Sequence, residues 1–373
     1  MQSFRIVIVL VFFGLFSPLF GVCQPTAMAM PQDAGALMRL AHDKNGLTGA
    51  DIRPWHMRGT YHSYKEGKID YEGQYEEWWF SSTQYKLTFS NRKITQTNYV
   101  NGTALLRDGE QEWLSGPELL LRASLIDPLP DAGLLANFKL KRDSQSVGKA
   151  KLDCVTLTYK IRTGLDMGRF PSACFEPTMP VLRMFDEGFG RSTMYDHIVL
   201  VQGHYIAHQI QVLIGGNLTA DLNTESIEEL HSSPETIITP PASALPVDLS
   251  HIAINQAGIP LWPMPLIMAY PGLEVVEPGG ARTNTTPVID QDLTPEARAA
   301  INLPKFAQGT IVVKVRIRPD GHVEDAVFVS GAIPMQKPSI EAARQWVFRP
   351  FIVTGEARPV ETELSFTVNE NAF

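Results

Sequence analysis

Cysteine is scarce in this sequence, with three residues in 373. Three cannot build a disulfide scaffold or a four-cysteine zinc site. No basic run occurs, and the formal charge is −8 with a pI near 5.6, which argues against nucleic acid as a partner. Long hydrophobic runs are also lacking. Only residues 6–22 approach spanning length, and mean hydropathy is −0.06, which excludes a polytopic membrane protein. The text holds no glycine-rich phosphate loop and no G-x-S-x-G elbow, so no motif supports an enzyme. What is present is globular: 44% hydrophobic and 19% charged residues exclude collagen, coiled coil and wholesale disorder. The length predicts two or three domains.

Arg5 precedes an apolar run that is broken only by Ser17, Pro18 and two glycines, and Ala27-Met28-Ala29 follows it. A charged start, an apolar core and a small-x-small exit predict a secretory signal cleaved after Ala29. The competing reading is an uncleaved inner-membrane anchor, although 17 residues barely span. A lipid anchor at Cys23 is disfavoured by Val22, where a small residue is needed. Either way the mature chain lies in the periplasm or cell envelope. Export leaves Cys154 and Cys174 in an oxidising compartment, where they are expected to pair.

Asp33 is placed to cap a short helix ended by Asn45-Gly46. Residues 54–101 are rich in tyrosine, tryptophan and phenylalanine, with polar breaks at 66–67 and 91–92. They read as an antiparallel meander. Residues 117–126 form a helix stopped before Pro128. Strand text returns at 152–161, 197–203 and 205–214. The first folded unit is therefore expected at 30–235, α+β with a large antiparallel sheet. From 234 to 287 the sequence holds ten of the 27 prolines and five charged residues, which predicts an extended connector at 236–288. Its segment 261–268 is too apolar to be a free linker and is expected to lie against a domain.

The last unit, 289–373, is the most regular. Ile311, Val313, Val315 and Ile317 alternate with Val312, Lys314 and Arg316, a half-buried strand of period two. A turn at 319–322 leads to a second strand at 323–329. Residues 339–347 read as a helix stopped by Pro350. Val360, Thr362, Leu364, Phe366 and Val368 then alternate with Glu361, Glu363, Ser365 and Thr367, giving a third strand. The order is β-β-α-β.

This text resembles the C-terminal domain of the TonB/TolA family. The resemblance rests on Gly309-Thr310-Ile311-Val312-Val313, Asp320-Gly321-His322-Val323, Val329-Ser330-Gly331 and Trp346-Val347-Phe348-Arg349-Pro350. Gly355, Pro359-Val360 and Phe366 complete it. The long proline- and lysine-rich spacer of an energy transducer is missing, and Leu293-Thr294-Pro295-Glu296-Ala297 stands further upstream than the family pattern places its Tyr-Pro-x-x-Ala. The resemblance implies that Val360 to Val368 offers an edge strand to an extended protein segment, such as one from an outer-membrane TonB-dependent receptor, by strand addition. In the first unit, Gly73-Gln74-Tyr75-Glu76-Glu77-Trp78-Trp79 and Tyr85-Lys86-Leu87 are similar to the curved sheet of LolA-like lipoprotein carriers. That resemblance implies a second reading, a periplasmic carrier or sensor of an apolar ligand held in the N-terminal sheet.

Other candidate residues carry little chemistry. His204 and His208 lie in strand text, where four residues span roughly 13 Å, too far for one ion. Glu76 and Glu77 are neighbours that face opposite ways, one to solvent and the other toward a sheet edge. Asp320-Gly321 reads as a hairpin turn rather than a calcium loop. The aromatic cluster 71–89 reads either as sheet core or as the wall of an apolar pocket. No cofactor or metal is expected.

Overall fold

The computed structural model describes residues 30–114, 117–136, 138–147, 149–159, 171–187, 191–214, 216–250, 252–253, 260–262, 273–276 and 309–370. The apolar run 6–22, Cys23 and the segment 293–297 lie outside the described residues.

Helix α1 (Ala34–Lys44) starts where the Asp33 carboxylate accepts from the Ala36 N–H at 2.7 Å, and it buries Leu37, Met38 and Ala41. Asn45 ends it: the side-chain amide donates to the Ala41 and Pro180 carbonyls and accepts from the Leu182 N–H. A short polar side chain thus satisfies the helix end and fixes a distant strand at once.

A meander follows: β1 (Trp55–Lys65), β2 (Lys68–Ser81), β3 (Gln84–Asn91), β4 (Thr95–Asn101) and β5 (Ala104–Gly109). The turn between β2 and β3 falls at 82–83, inside what the sequence presented as one aromatic stretch. Two helices, α2 (Pro117–Ile126) and α3 (Ala132–Leu135), then carry the chain across the sheet. It returns through β6 (Phe138–Val147), β7 (Ala150–Tyr159), β8 (Ser172–Phe175), β9 (Leu182–Asp186), β10 (Arg191–Val201), β11 (His204–Ile214) and β12 (Asn217–Glu229). β12 pairs with β1 antiparallel, so the two meanders join at the middle of one sheet. After α4 (Pro234–Ile237), β13 (Leu245–Pro246) adds to β5 at one edge, giving thirteen strands in the order β13-β5-β4-β3-β2-β1-β12-β11-β10-β9-β8-β7-β6.

One face of this sheet is covered and the other is wet. On β1 the side chains of Trp55, Met57 and Tyr61 are fully buried, while His56, Arg58 and His62 alternate outward. The buried face continues across β2 and β3 as Tyr75, Glu77, Trp79, Tyr85, Leu87 and Phe89. Gly73 lies opposite Tyr61, and a Cβ there would sit 2.3 Å from that ring. The glycine is what lets the tyrosine lie flat over the neighbouring strand.

The connector supplies β14 (Ile252–Ala253), β15 (Pro260–Trp262) and β16 (Leu273–Val276). The C-terminal domain then consists of β17 (Gly309–Ile317), β18 (Val323–Ser330), α5 (Gln336–Ala343), β19 (Val347–Phe348), the hairpin β20 (Phe351–Val353) and β21 (Glu356–Arg358), and β22 (Val360–Glu370). Ile311, Val313, Val315 and Ile317 are buried, while Lys314 and Arg316 are exposed. The helix ends at Ala343, earlier than its spacing predicts, because Val347 and Phe348 are drawn into strand pairing with Pro260–Trp262. Gly321, at a φ of +86°, makes the β17–β18 turn, and its carbonyl accepts from the Phe348 N–H at 2.7 Å. A Cβ at Gly321 would sit 1.9 Å from the Phe348 carbonyl oxygen, so no side chain fits there.

The fold is thus α+β, a large antiparallel sheet followed by a small sheet backed by a helix. One apolar core runs through both: Ile252, Val347 and Phe348 belong to the same buried cluster as Leu37 and Trp55, while Leu152, Cys154 and Cys174 form a second, smaller cluster.

Candidate partner-binding site

The small sheet has the order β14-β22-β17-β18, with β16 also on β22. β17 pairs with β22 along its whole length, from Ile317 opposite Val360 to Gly309 opposite Val368. On the face away from α5, Lys314 and Arg316 stand opposite Glu363 and Glu361. The Lys314 ammonium lies 2.8 Å from the Glu361 carboxylate, and that contact raises the lysine pKa. This is a cross-strand charge ladder on a solvated face.

Where the sequence reading placed an open edge over Val360, Glu361, Thr362, Glu363, Leu364, Ser365, Phe366, Thr367 and Val368, the structure places neighbours at both ends. Ile252 and Ala253 run parallel to Val360 and Glu361. Leu273–Val276 runs antiparallel, with Val275 opposite Val368 and Val276 opposite Thr367. Among the described residues no strand lies beside 363–366 on that side. Glu363 is exposed within this window. The physical reason is local: an unpaired edge exposes N–H and C=O groups, and the connector's extended segments are close enough to take them. Pro260–Trp262 also pairs with this domain, through Val347 and Phe348.

The two sheets touch through the segment after α5. The Arg349 guanidinium donates to the carbonyls of Asp127 and Pro128 at 3.2 and 2.9 Å, just beyond the end of α2, and lies 4.9 Å from the Phe185 ring. Phe351 meets Trp113 edge-on at 5.6 Å. Gly355, at the hairpin tip, approaches Ser82 and Thr83. Trp113 is itself held by Arg107, whose guanidinium stacks 4.4 Å from the indole and donates to the Gln111 and Glu112 carbonyls. Burial pushes the Arg107 pKa down to about 10.

Under the large sheet lies a buried polar network the sequence reading did not assign. Glu77 is fully buried and receives two bonds from Arg122 of α2, at 2.6 and 3.1 Å, and one from the Tyr75 hydroxyl. It sits mid-sheet, not toward an edge, because β1 and β3 flank β2 on both sides. Glu118 accepts from Tyr61 and Tyr71, both at 3.1 Å. Burial raises the Glu118 pKa, and the two hydroxyls hold it partly back. The available signal was spacing: Glu118 and the half-buried Arg122 share the α2 stripe with Leu121 and Leu125, so two charges lie on the side that meets the sheet.

Several candidates separate. Glu76 faces outward and bonds His56 at 2.9 Å. His204 is buried against Asp51 at 3.2 Å, whereas His208, on the same strand, has its pKa lowered by burial and by His197. No group of three metal-ligating side chains occurs among the described residues. The aromatic cluster is packed: Tyr61, Tyr75 and Phe89 are at most 1% exposed, and the Phe89 ring meets both tyrosines edge-on. A cavity between α2 and the sheet, lined by Ser124, Leu125, Tyr195 and Tyr205, has a volume of about 10 Å³, room for one water. Cys154 and Cys174 face each other across β7 and β8 and are joined by a disulfide.

Residues 303–368 match the family of Gram-negative bacterial TonB protein C-terminal domains. The TonB-type match spans β17, β18, α5 and nearly all of β22, and it excludes the connector strands β14, β15 and β16. No curated protein matches the chain. Among solved structures, the chain is similar to a putative outer membrane lipoprotein-sorting protein domain from Vibrio parahaemolyticus, at 6% identity over 55% of this chain and 96% of that one, with a TM-score of 0.37. It is also similar to a LolA superfamily protein from Nitrosomonas europaea, at 10% identity over 56% and 97%, with a TM-score of 0.32. A DUF1329 family protein from Desulfovibrio piger is similar at 7% identity over 56% and 95%, with a TM-score of 0.36. Among the described residues, no helix is long and apolar enough to cross a membrane.

Proposed function

We infer that this chain is an exported cell-envelope protein of TonB type. In this reading it is non-enzymatic, and its C-terminal domain, 289–373, binds an extended segment of another protein by strand addition to β22. The observation that carries the reading is the stretch 363–366. It lies in the TonB-type match, is paired on its inner side to β17, and has no strand on its outer side among the described residues. Backbone groups there supply affinity to any extended partner, and the Lys314, Arg316, Glu361 and Glu363 face tunes selectivity. An outer-membrane receptor is the partner class the TonB-type match favours. The aromatic face of the large sheet is filled by the chain's own side chains, and no observation favours the apolar-ligand reading over this one.

In-cell photo-crosslinking tests it. A photoreactive residue at Glu363 is expected to yield a specific adduct with an outer-membrane protein, while the same group at Glu324, on the far strand β18, yields none. Equal adducts at both positions, or none at either in a folded and exported protein, refute the docking assignment.

A further inference from the structure

Both outer neighbours of β22 come from the chain itself. Ile252–Ala253 covers its first two residues in parallel, and Leu273–Val276 covers its last four in antiparallel. With Pro260–Trp262 on β19, one connector touches one small domain three times. The connector behaves as a strap, and its last contact occupies the hydrogen-bonding side that strand addition uses.

One row of N–H and C=O groups cannot pair with two strands. A partner reading the edge beyond 366 must therefore displace Leu273–Val276. The stretch 363–366 is about 13 Å long at 3.3 Å per residue, enough for a first foothold. Pairing that starts there can advance residue by residue onto 367–370 while the strap peels away.

We propose that Leu273–Val276 is an internal stand-in for the partner, and that the partner binds 363–370 by strand exchange with it. This rests on the docking reading above and deepens it. The incoming segment is extended, antiparallel to β22, at least eight residues long and free of proline at positions that donate to β22. The strap's own sequence, Leu-Glu-Val-Val, indicates its chemistry: branched apolar residues with little charge. Because the strap is tethered, it competes at an effective concentration on the order of millimolar, so affinity for any free segment is suppressed until the strap leaves.

The test uses the full chain and a labelled peptide of its own residues 270–279. Val275→Pro with Val276→Pro removes a strap donor to β22, because neighbouring residues of a strand turn their N–H groups to opposite sides, and it weakens the pairing with Val368 and Thr367. The variant is expected to bind the peptide at least ten-fold tighter than the wild type, by fluorescence anisotropy. Amide exchange over 365–370 is expected to accelerate in the variant and to slow again when peptide is added. If exchange there is unchanged, the strap does not cover the edge, and the proposal fails. If exchange accelerates and the peptide does not bind, the edge does not accept a free strand, and the proposal fails as well. Exchange over 309–317 checks that the sheet itself is intact; if it too accelerates, Val275→Gly is the milder variant, read the same way. The peptide is the chain's own, so this result does not depend on a cellular partner. A failed cross-link from Glu363 beside a positive peptide result refutes the docking reading and with it the exchange with a partner, while the strap's cover of the edge stands; the reverse pattern refutes the strap alone.

Discussion

Glu77 is a carboxylate with no exposure to water, and it is stable there because Arg122 and Tyr75 supply its hydrogen bonds. Removing one partner of such a pair costs more than the pair contributes, because the other charge stays buried without compensation. Arg122→Met is therefore expected to destabilise by about 3–5 kcal/mol, and Arg122→Met with Glu77→Gln by less, as read from urea midpoints. On the wet face, His62 shows the opposite balance. Burial works against its charge, but Asp221 at 2.7 Å and Glu72 at 3.2 Å outweigh it and raise the pKa above 6.5. A raised pKa means that the protonated ring stabilises the fold. That contribution is complete below the unfolded value of 6.5 and is lost as pH rises through the folded one. The stability difference between wild type and His62→Gln is expected to shrink as pH rises above 6.5 and through the raised folded value, and a difference independent of pH would refute the assignment.

At the scale of elements, Cys154 and Cys174 stand at paired positions of β7 and β8, with a sequence separation of 20. A loop of that size predicts a loss of about 3 kcal/mol for the Cys154→Ser, Cys174→Ser variant, if the cross-link acts by restricting the unfolded chain. Equal denaturation midpoints for the two proteins would show that the bridge contributes nothing. Elements were legible in proportion to how simply their environment repeats. β17 alternates because one side faces α5 and the other water, so its text gave the right period. Helix α2 was bounded correctly by its proline neighbours. β12 was not legible, because Ala220, Asp221 and Leu222 are consecutive buried residues at the junction of two meanders. β6 is an edge strand with only Phe138 buried, so it reads as polar loop. The end of α5 departs from its spacing for a tertiary reason: Val347 and Phe348 pair with connector residues 85 and 88 positions away, which no local pattern announces.

At the scale of the whole molecule, the C-terminal strand was readable but its neighbours were not. Its alternation marks a strand, whereas the cover over its ends comes from a proline-rich stretch whose composition predicts an extended chain resting on a domain without saying on which strand. The docking of the two sheets was equally silent, since Arg349, Phe351 and Trp113 act through pairings remote in sequence. Intra-chain domain contacts are often loose, but this one has a buried core and specific anchors: two Arg349 bonds beyond α2 and the Trp113–Phe351 contact. The two sheets should therefore unfold together. Calorimetry of the wild type is expected to give one transition whose calorimetric and van't Hoff enthalpies agree. In Arg349→Ala with Phe351→Ala, the Asp127 and Pro128 carbonyls lose their donor and Trp113 loses its partner. The expected result is two transitions, with the smaller unit melting first because its own core is small. A variant that still melts in one step, at a lower temperature, would mean that the shared apolar core holds the two sheets together without these anchors, so that the core rather than its polar rim sets their coupling.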